Sequence, residues 1–331
     1  MKAITYTDYG AAADVLQLVE LPTPDCGPGE VLVELAYSSV NPSDVKARLG
    51  TRADAPKPPF PAVIPHSDGA GRIVAVGDGV DASRIGQRVW IWNGQWKRLH
   101  GTCATHICLP AAQAVALPEP VSMEDGASLG IPGLTATQAL FCGGDVAGKT
   151  VLVQGGAGSV GGLAVQLAAW GGAHVIATGR AADHARITGF GAHAVCDYAA
   201  DDLATAILAA NDGRPVDHIV EVEYGLNADV DAAVIAENGR IAAYGSAQNL
   251  RPEMPFYGLM FKAVTLQMLL IYILPEAERT AAITRLHQAL SEGAVTVPVD
   301  GTYTLSESAA AQAAVEAGRR AGATLIDVTT G

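Results

Sequence analysis

The stretch Thr150–Gly162, TVLVQGGAGSVGG, restricts what this chain can fold into more than any other. A short valine-rich run enters a glycine-dense turn, and an apolar helical pattern, VGGLAVQLAAWGG, leaves it. Strand, tight turn and helix in that order open a parallel βαβ unit. Gly156, Gly158 and Gly161 stand there at G-x-G-x-x-G spacing, with Ala157, Ser159 and Val160 between them. The first glycine permits the turn, the second lets a pyrophosphate approach the backbone, and the third lets the helix pack close to the strand. The phosphates would meet the amides of the helix start, where the dipole is positive. Because 37 of the 331 residues are glycine, the spacing alone says little. With the flanking strand and helix it reads as a dinucleotide site; a glycine turn that only packs is the alternative.

A chain of 331 residues exceeds what one ordinary core holds, so two domains are expected. The composition, 49% hydrophobic and 17% charged, is that of a globular protein. A net charge of −13 argues against a nucleic-acid or anionic-membrane surface. Cys26, Cys103, Cys108, Cys142 and Cys196 are scattered and odd in number, which suggests free, buried thiols in a reducing compartment. MKAITYTDYG lacks an apolar signal core, and the most apolar run, Ala263–Leu274, is too short to cross a bilayer. A cytosolic protein is expected.

Residues 1 to about 120 read as β-rich: MKAITYT, VLQLVELP, EVLVELAYSSV, GAGRIVAVG and QRVWIW are separated by proline and glycine clusters. A rolled antiparallel sheet is expected, with a long loop, 41–65, suited to carry a site. From Ser122, a plausible N-cap, SMEDGASLGIPGLTATQALF reads as helix. Strands TVLVQ, HVIATG, AVCDY, HIVEV and RIAAYG then alternate with helical segments, ADVDAAVIAENG among them, as in a doubly wound parallel sheet. Residues 263–268 are a further strand candidate for the sheet edge, where pairing would make a dimer. A helix is expected over Pro275–Glu292. The tail, VTVPVDGTYTL, SESAAAQAAVEAGRR and ATLIDVT, returns to the β style of the start. The nucleotide domain is therefore read as an insertion, residues 122–269, in a first domain made of 1–121 and 270–331.

The tip of the second strand of such a unit separates NAD from NADP: an acid there bonds the ribose 2′-hydroxyl, an arginine suits a 2′-phosphate. Here the strand ends at Thr178 and is followed by Gly179 and Arg180. Arg180 points to NADPH, although Asp183 lies nearby. Tyr198, just after the third strand, is placed to close over the adenosine end.

His66, in IPHSDGAG, is the most suggestive candidate for a metal ligand, but Asn41 in VNPSD supplies no partner cysteine, and no cysteine cluster suggests structural zinc. A hydrogen-bonded structural histidine is the competing reading. Cys103 and Cys108, taken as one strand, point to opposite faces and are set aside as ligands. No G-x-S-x-G elbow is present.

Together these residues resemble a known family. VNPSDVKARLG (Val40–Gly50), PHSDGAGRIVAVGDGV (Pro65–Val80), GQRVW (Gly86–Trp90), PGLTATQAL (Pro132–Leu140), VLVQGGAGSVG (Val151–Gly161) and FYGLMFKAVTL (Phe256–Leu266) follow one another as in the zinc-free, quinone oxidoreductase branch of the medium-chain dehydrogenase/reductases. The resemblance implies a GroES-like β-rich catalytic domain, a Rossmann domain and a cleft holding NADPH. It implies Asn41 and Asp44 at the nicotinamide end, Thr135 near the nicotinamide ribose, and Ser159 and Val160 at the pyrophosphate. Gly179, Arg180 and Tyr198 would hold the adenosine phosphate, Tyr244, Gly245 and Ser246 would line the cofactor's path, and Met268, Leu269 and Leu270 would meet the carboxamide. Two departures stand out: His66 occupies a position where the branch commonly has glycine, and the usual lysine of the 2′-phosphate pocket is missing.

The implied activity is metal-free hydride transfer from NADPH to a quinone, with Asn41 and His66 as candidates to stabilise the oxyanion and His66 to return a proton. An enone or enal reductase, and a nucleotide-binding protein without turnover, remain alternatives; a zinc alcohol dehydrogenase is a distant one. The partners expected are a small-molecule substrate and a second copy of the chain.

Overall fold

The structure is a computed structural model that describes residues 1–51, 56–318 and 321–330. Parts of the 41–65 loop and the two arginines expected to end the SESAAAQAAVEAGRR helix lie outside the described residues. Strand β1 (Lys2–Thr5) pairs antiparallel with β2 (Gln17–Glu20). The β-branched and apolar run EVLVELAYSSV forms β3 (Glu30–Val40), the longest strand, which pairs antiparallel with β4 (Asp68–Val76) through two register shifts. β5 (Arg88–Ile91), β6 (His106–Pro110) and β7 (Ala114–Ala116) extend this sheet, with β6 on the other side of β3.

The chain then builds a second unit. β8 (Thr150–Val153), β9 (His174–Gly179), β10 (Ala194–Asp197), β11 (Val216–Glu221), β12 (Ile235–Ala243) and β13 (Thr265–Met268) form a parallel sheet in the order β10-β9-β8-β11-β12-β13. Counted from its first strand this is 3-2-1-4-5-6, the doubly wound dinucleotide-binding order, whose ligands lie beyond the carboxyl ends of the strands. β8 and β9 read as apolar runs because both faces of the sheet are covered. β13 is the edge strand expected over 263–268.

Two expected helices end differently. The helix read through ADVDAAVIAENG runs from Tyr224 to Val234, and Ile235 already begins β12. Ile235 and Ile241 are buried in the sheet core, which outweighs the helical appearance of the alanines. The SMEDG…ALF helix is broken at Ala127–Ser128: Met123–Gly126 ends there, and a π-helical turn, Leu129–Gly133, that contains Pro132 leads straight into Leu134–Phe141. Ser122 caps the first, accepting from the Asp125 amide at 2.9 Å.

β14 (Val299–Thr304) and β15 (Ala323–Asp327) pair parallel to each other, and β15 joins β3 antiparallel, so the tail completes the first sheet. The two compact units are Met1–Ile131 with Val297–Gly331, and Pro132–Thr296. The boundaries therefore differ from those expected at 121/122 and 269/270. The helix Glu276–Ser291 belongs with the parallel sheet, since it packs on Leu134–Phe141 through a Gln138–Glu278 hydrogen bond of 2.6 Å and Arg285 over the Phe141 ring.

The glycine turn fixes how the helix Ser159–Trp170 meets the sheet. A Cβ on Gly161 would overlap the Gly155 carbonyl, whereas one on Gly158 would meet only Gly155 O at 3.6 Å. Gly161→Ala is therefore expected to destabilise the chain by about 1–3 kcal/mol in thermal unfolding, despite alanine's better helix propensity. Gly158→Ala should leave unfolding within about 0.5 kcal/mol of wild type.

Candidate functional site

In the parallel-sheet unit, the turn between β8 and its helix presents a dinucleotide cradle. Gly155 takes a left-handed conformation (φ 71°), Gly156 N donates to Thr178 O at 2.8 Å, and the helix begins at Ser159. Val160 and Gly161 lie in the first turn, where amides lack an intrahelical carbonyl. The protein's own atoms crowd Gly156 and Gly161 but not Gly158, as a ligand approaching the second glycine requires.

At the tip of β9 the geometry is richer than the sequence suggested. Arg180 Nε donates to Asp183 at 2.8 Å, and Arg186 Nη2 donates to the other oxygen of the same carboxylate at 3.0 Å. Asp183, which had weighed against a phosphate, is thus neutralised by two guanidinium groups, with one positive charge in excess. Arg186 also reaches the Ala157 carbonyl at 3.2 Å, tying the strand tip to the glycine turn. Arg186 was not singled out from the sequence; its i+3 spacing from Asp183 was the available signal.

Thr178 is buried, and its hydroxyl is used internally by Gly155 N and Gln154. Tyr198 is half exposed beside Gly179, to whose carbonyl its amide donates at 3.3 Å. Tyr244 N donates to Glu221 O, Ser246 Oγ to Asn249 O, and a Cβ on Gly245 would overlap the Val222 carbonyl. Leu269 N bonds Ala243 O at 2.8 Å, and Met268 and Leu270 are exposed beside it. Thr135 is buried near the start of the Leu134–Phe141 helix.

The other unit holds Asn41, Asp44 and His66, all buried. Asn41 precedes the helix Pro42–Leu49, and Asp44 turns back to accept the Asn41 amide at 2.7 Å, a capping-box arrangement. Asn41 Nδ2 donates to Asp68 Oδ2 at 2.8 Å, and Ile131 N donates to the same oxygen at 3.0 Å. Asp68 Oδ1 has no partner among the described residues. Burial, and then the charge of Asp44, hold Asp68 well above the ordinary carboxylate range; burial lifts Asp44 to about 7. Asp68 was missed as an individual residue because SDGAG resembles an ordinary turn.

His66, the proton donor considered from the sequence, is buried and hydrogen-bonded inside this unit. It sits in a left-handed conformation (φ 75°) with both ring nitrogens engaged, Nδ1 to Ser38 Oγ at 3.0 Å and Nε2 to Gln312 Nε2 at 3.1 Å. The donor order follows from Arg48, which can only donate: Arg48 Nε gives to Gln312 Oε1 at 2.6 Å, so the Gln312 amide nitrogen faces His66 Nε2. The imidazole therefore carries its proton on Nδ1 and donates to Ser38, Ser38 to Thr102 (2.8 Å), and Thr102 to Asp68 O (2.5 Å). Burial pushes His66 down to about 3. Arg48 is anchored further by Glu316 at 2.6 Å and the Gly10 carbonyl.

Cys103 and Cys108 do not share a strand. Cys103, before β6, bonds Ser308 at 3.3 Å; Cys108, within β6, bonds Glu30 at 3.2 Å. Cys26, Cys108 and Cys142 are half-buried rather than buried. Among the described residues no three His, Cys, Asp or Glu side chains converge as metal ligands, and no helix is long and apolar enough to cross a membrane.

The sequence matches the alcohol dehydrogenase GroES-like domain over residues 27–119 and the zinc-binding dehydrogenase domain over 190–326. The quinone oxidoreductase of Rattus norvegicus is 32% identical over 250 residues, 74% of this chain and 73% of that protein. The chain belongs to the zinc-free, quinone oxidoreductase branch of the medium-chain dehydrogenase/reductases. A mycobacterial structure complexed with NADPH matches with a TM-score of 0.86 at 28% identity, covering 99% of this chain and 100% of that one. An NAD-dependent alcohol dehydrogenase matches with a TM-score of 0.87 at 26% identity, over 99% and 100%. This family member is accordingly an oxidoreductase that uses a nicotinamide cofactor.

The two buried groups beside Asn41 titrate in opposite senses. His66, near 6.5 when unfolded and about 3 when folded, gives stability above pH 6.5 that is lost as pH falls towards 3. Asp44, 3.8 unfolded and about 7 folded, gives stability at low pH that is lost as pH rises from 4 to 7. His66→Gln is expected to gain stability relative to wild type as pH falls from 6.5 to 4, and Asp44→Asn to gain as pH rises from 4 to 7. Denaturant unfolding across that range checks both, with full effects of about 2–5 kcal/mol.

Proposed function

We propose that this chain is an NADPH-dependent quinone oxidoreductase. The observation that carries the chemistry is the hydrogen-bonding at Asn41 and His66. An amide donating to the buried Asp68 stands at one position, and at the other an imidazole has both nitrogens committed to Ser38 and Gln312. Neither is arranged to ligate a metal, so charge developing on a substrate oxygen must be met by hydrogen-bond donors. Asn41 Nδ2 has two hydrogens, of which Asp68 takes one; the other is assigned to the substrate oxygen.

When bound, the cofactor supplies a hydride. In this reading the first turn after Gly158, with Ser159 and Val160, holds its pyrophosphate. Thr135, Tyr244, Gly245, Ser246, Met268, Leu269 and Leu270 hold its nicotinamide half, and Asp44 keeps Asn41 in place. Gly179 and Tyr198 border its adenosine end. The excess positive charge of Arg180 and Arg186 over Asp183 favours a 2′-phosphate there.

A quinone fits this site better than an enone. Reduction of an enone places a proton on carbon and calls for a positioned acid. His66 is neutral near pH 7, and the Asp68 carboxyl is fully buried. Hydroquinone oxygens instead take protons readily from water. Steady-state rates with NADPH and NADH against 1,4-benzoquinone and a simple enone test this; faster turnover of the enone would overturn it. Arg180→Ala is expected to weaken NADPH about ten- to a hundredfold and NADH less than about threefold, read as KM and by fluorescence titration.

The second copy of the chain is assigned to the β13 edge. β13 pairs with β12 on one side only; Met268 at its end, and Tyr257 and Phe261 in the segment leading to it, are 66%, 68% and 78% exposed. An apolar patch next to free strand edges suits edge-to-edge pairing of two copies. Light scattering should give twice the 33.9 kDa chain mass, and Phe261→Glu combined with Tyr257→Glu should give the monomer.

A further inference from the structure

Under the carboxyl ends of the parallel strands runs a line of buried polar side chains that the cofactor reading leaves unused. Gly155 N, in the glycine turn, donates to Thr178 Oγ1 at 3.0 Å; Thr178 donates to Gln154 Oε1 at 2.8 Å; Gln154 Nε2 donates to Asp231 Oδ1 at 3.1 Å. The Asp231 and Glu221 carboxyls lie within hydrogen-bonding reach of each other, and both residues are fully buried. Asn227 Nδ2 donates to both Glu221 oxygens at 3.1 Å, and the Glu223 amide donates to Oε1. The Glu223 carboxylate in turn accepts the amides of Ala247 (2.7 Å) and Gln248 (3.1 Å). The line thus joins the loops after β8, β11 and β12, the crest on which a dinucleotide lies.

Two carboxyl groups hydrogen-bond only when one of them holds a proton. Glu221 accepts from every other partner it has, so it is the anion. Asp231 Oδ2 has no hydrogen-bonding donor among the described residues, which is the pattern of an O–H that itself donates.

We infer that Asp231 is a positioning residue for cofactor binding: the proton it holds against Glu221 locks the glycine turn to the loops after β11 and β12. This rests on the nicotinamide cofactor binding at that turn. Burial and then the Glu221 charge hold Asp231 well above the ordinary carboxylate range. The titratable groups facing the pair are Glu223 from the loop after β11, Tyr224 from the helix Tyr224–Val234, and Tyr244 just after β12. All are acids, so a second negative charge at the pair is uncompensated, and loss of the proton drives Asp231 and Glu221 apart. Gln154 and Thr178, the remaining neighbours, are neutral.

Asparagine at 231 copies the protonated acid: its amide donates to Glu221 while its oxygen accepts from Gln154. Glutamine at 221 instead sets a donor against Asn227 or the Glu223 amide. In fluorescence titrations with the full chain, wild-type affinity for NADPH is expected to fall about tenfold or more from pH 7 to pH 10. Asp231→Asn should bind as wild type at pH 7 and stay level to pH 10, whereas Glu221→Gln should bind at least about tenfold more weakly at pH 7. A level wild-type profile, the same alkaline fall in Asp231→Asn, or unimpaired Glu221→Gln would overturn the inference. Should neither NADPH nor NADH bind wild type at pH 7, the cofactor reading fails. The proton is then read from thermal unfolding of the unliganded chain, whose stability must fall with rising alkalinity in wild type and not in Asp231→Asn. Equal alkaline losses in the two would overturn it on that ground too.

Discussion

Arg48 can only donate hydrogen bonds, and much of the β-rich unit takes its orientation from that fact. Buried beneath the helix Pro42–Leu49, its guanidinium turns Gln312, Gln312 sets the tautomer of His66, and His66 orders Ser38 and Thr102 down to the backbone of Asp68. A buried polar side chain without a partner costs about 1–3 kcal/mol, so each link depends on its neighbours. The parallel-sheet unit uses the same device with a proton in place of the arginine. There Glu221 can only accept, and the direction runs back through Asp231 and Gln154 to the glycine turn.

The difference between these two lines bears on chemistry. His66 is a titratable side chain in a suggestive motif, yet burial and its bonds to Ser38 and Gln312 hold it as the neutral imidazole. Asp68 and Asp231 are fully buried carboxyls. The acids of this protein are thus spent on holding Asn41 and the crest loops in position, which fits a reaction whose acceptor needs orientation and a hydrogen-bond donor more than a general acid.

Local signals were readable from the chain: the strand-like run of β3, the glycine turn, the Ser122 cap and the strand within residues 263–268 all depend on residues close together in sequence. The domain return was read at 270 rather than 297 because the helix Glu276–Ser291 shows its partner only in packing against Leu134–Phe141. Asp183 appeared to oppose a phosphate until Arg186 was seen beside Arg180. The buried lines were hardest to read, since a lone glutamine in SAAAQAAVE or an aspartate in ADVDAAV has no periodicity that names its partner.

Sequence distance gives the Arg48 line a further meaning. Gln312 is 264 residues from Arg48 and 246 from His66. During synthesis, the residues that build β3 and the Asn41 helix leave the ribosome long before the segment that neutralises their buried groups. The parallel-sheet unit is one continuous run and can close in between. The unit holding Asn41 is therefore finished last, by the helix Ser308–Glu316 and β15. Until residue 312 is in place, the Arg48 guanidinium and the His66 imidazole lack the glutamine that joins them in the finished fold.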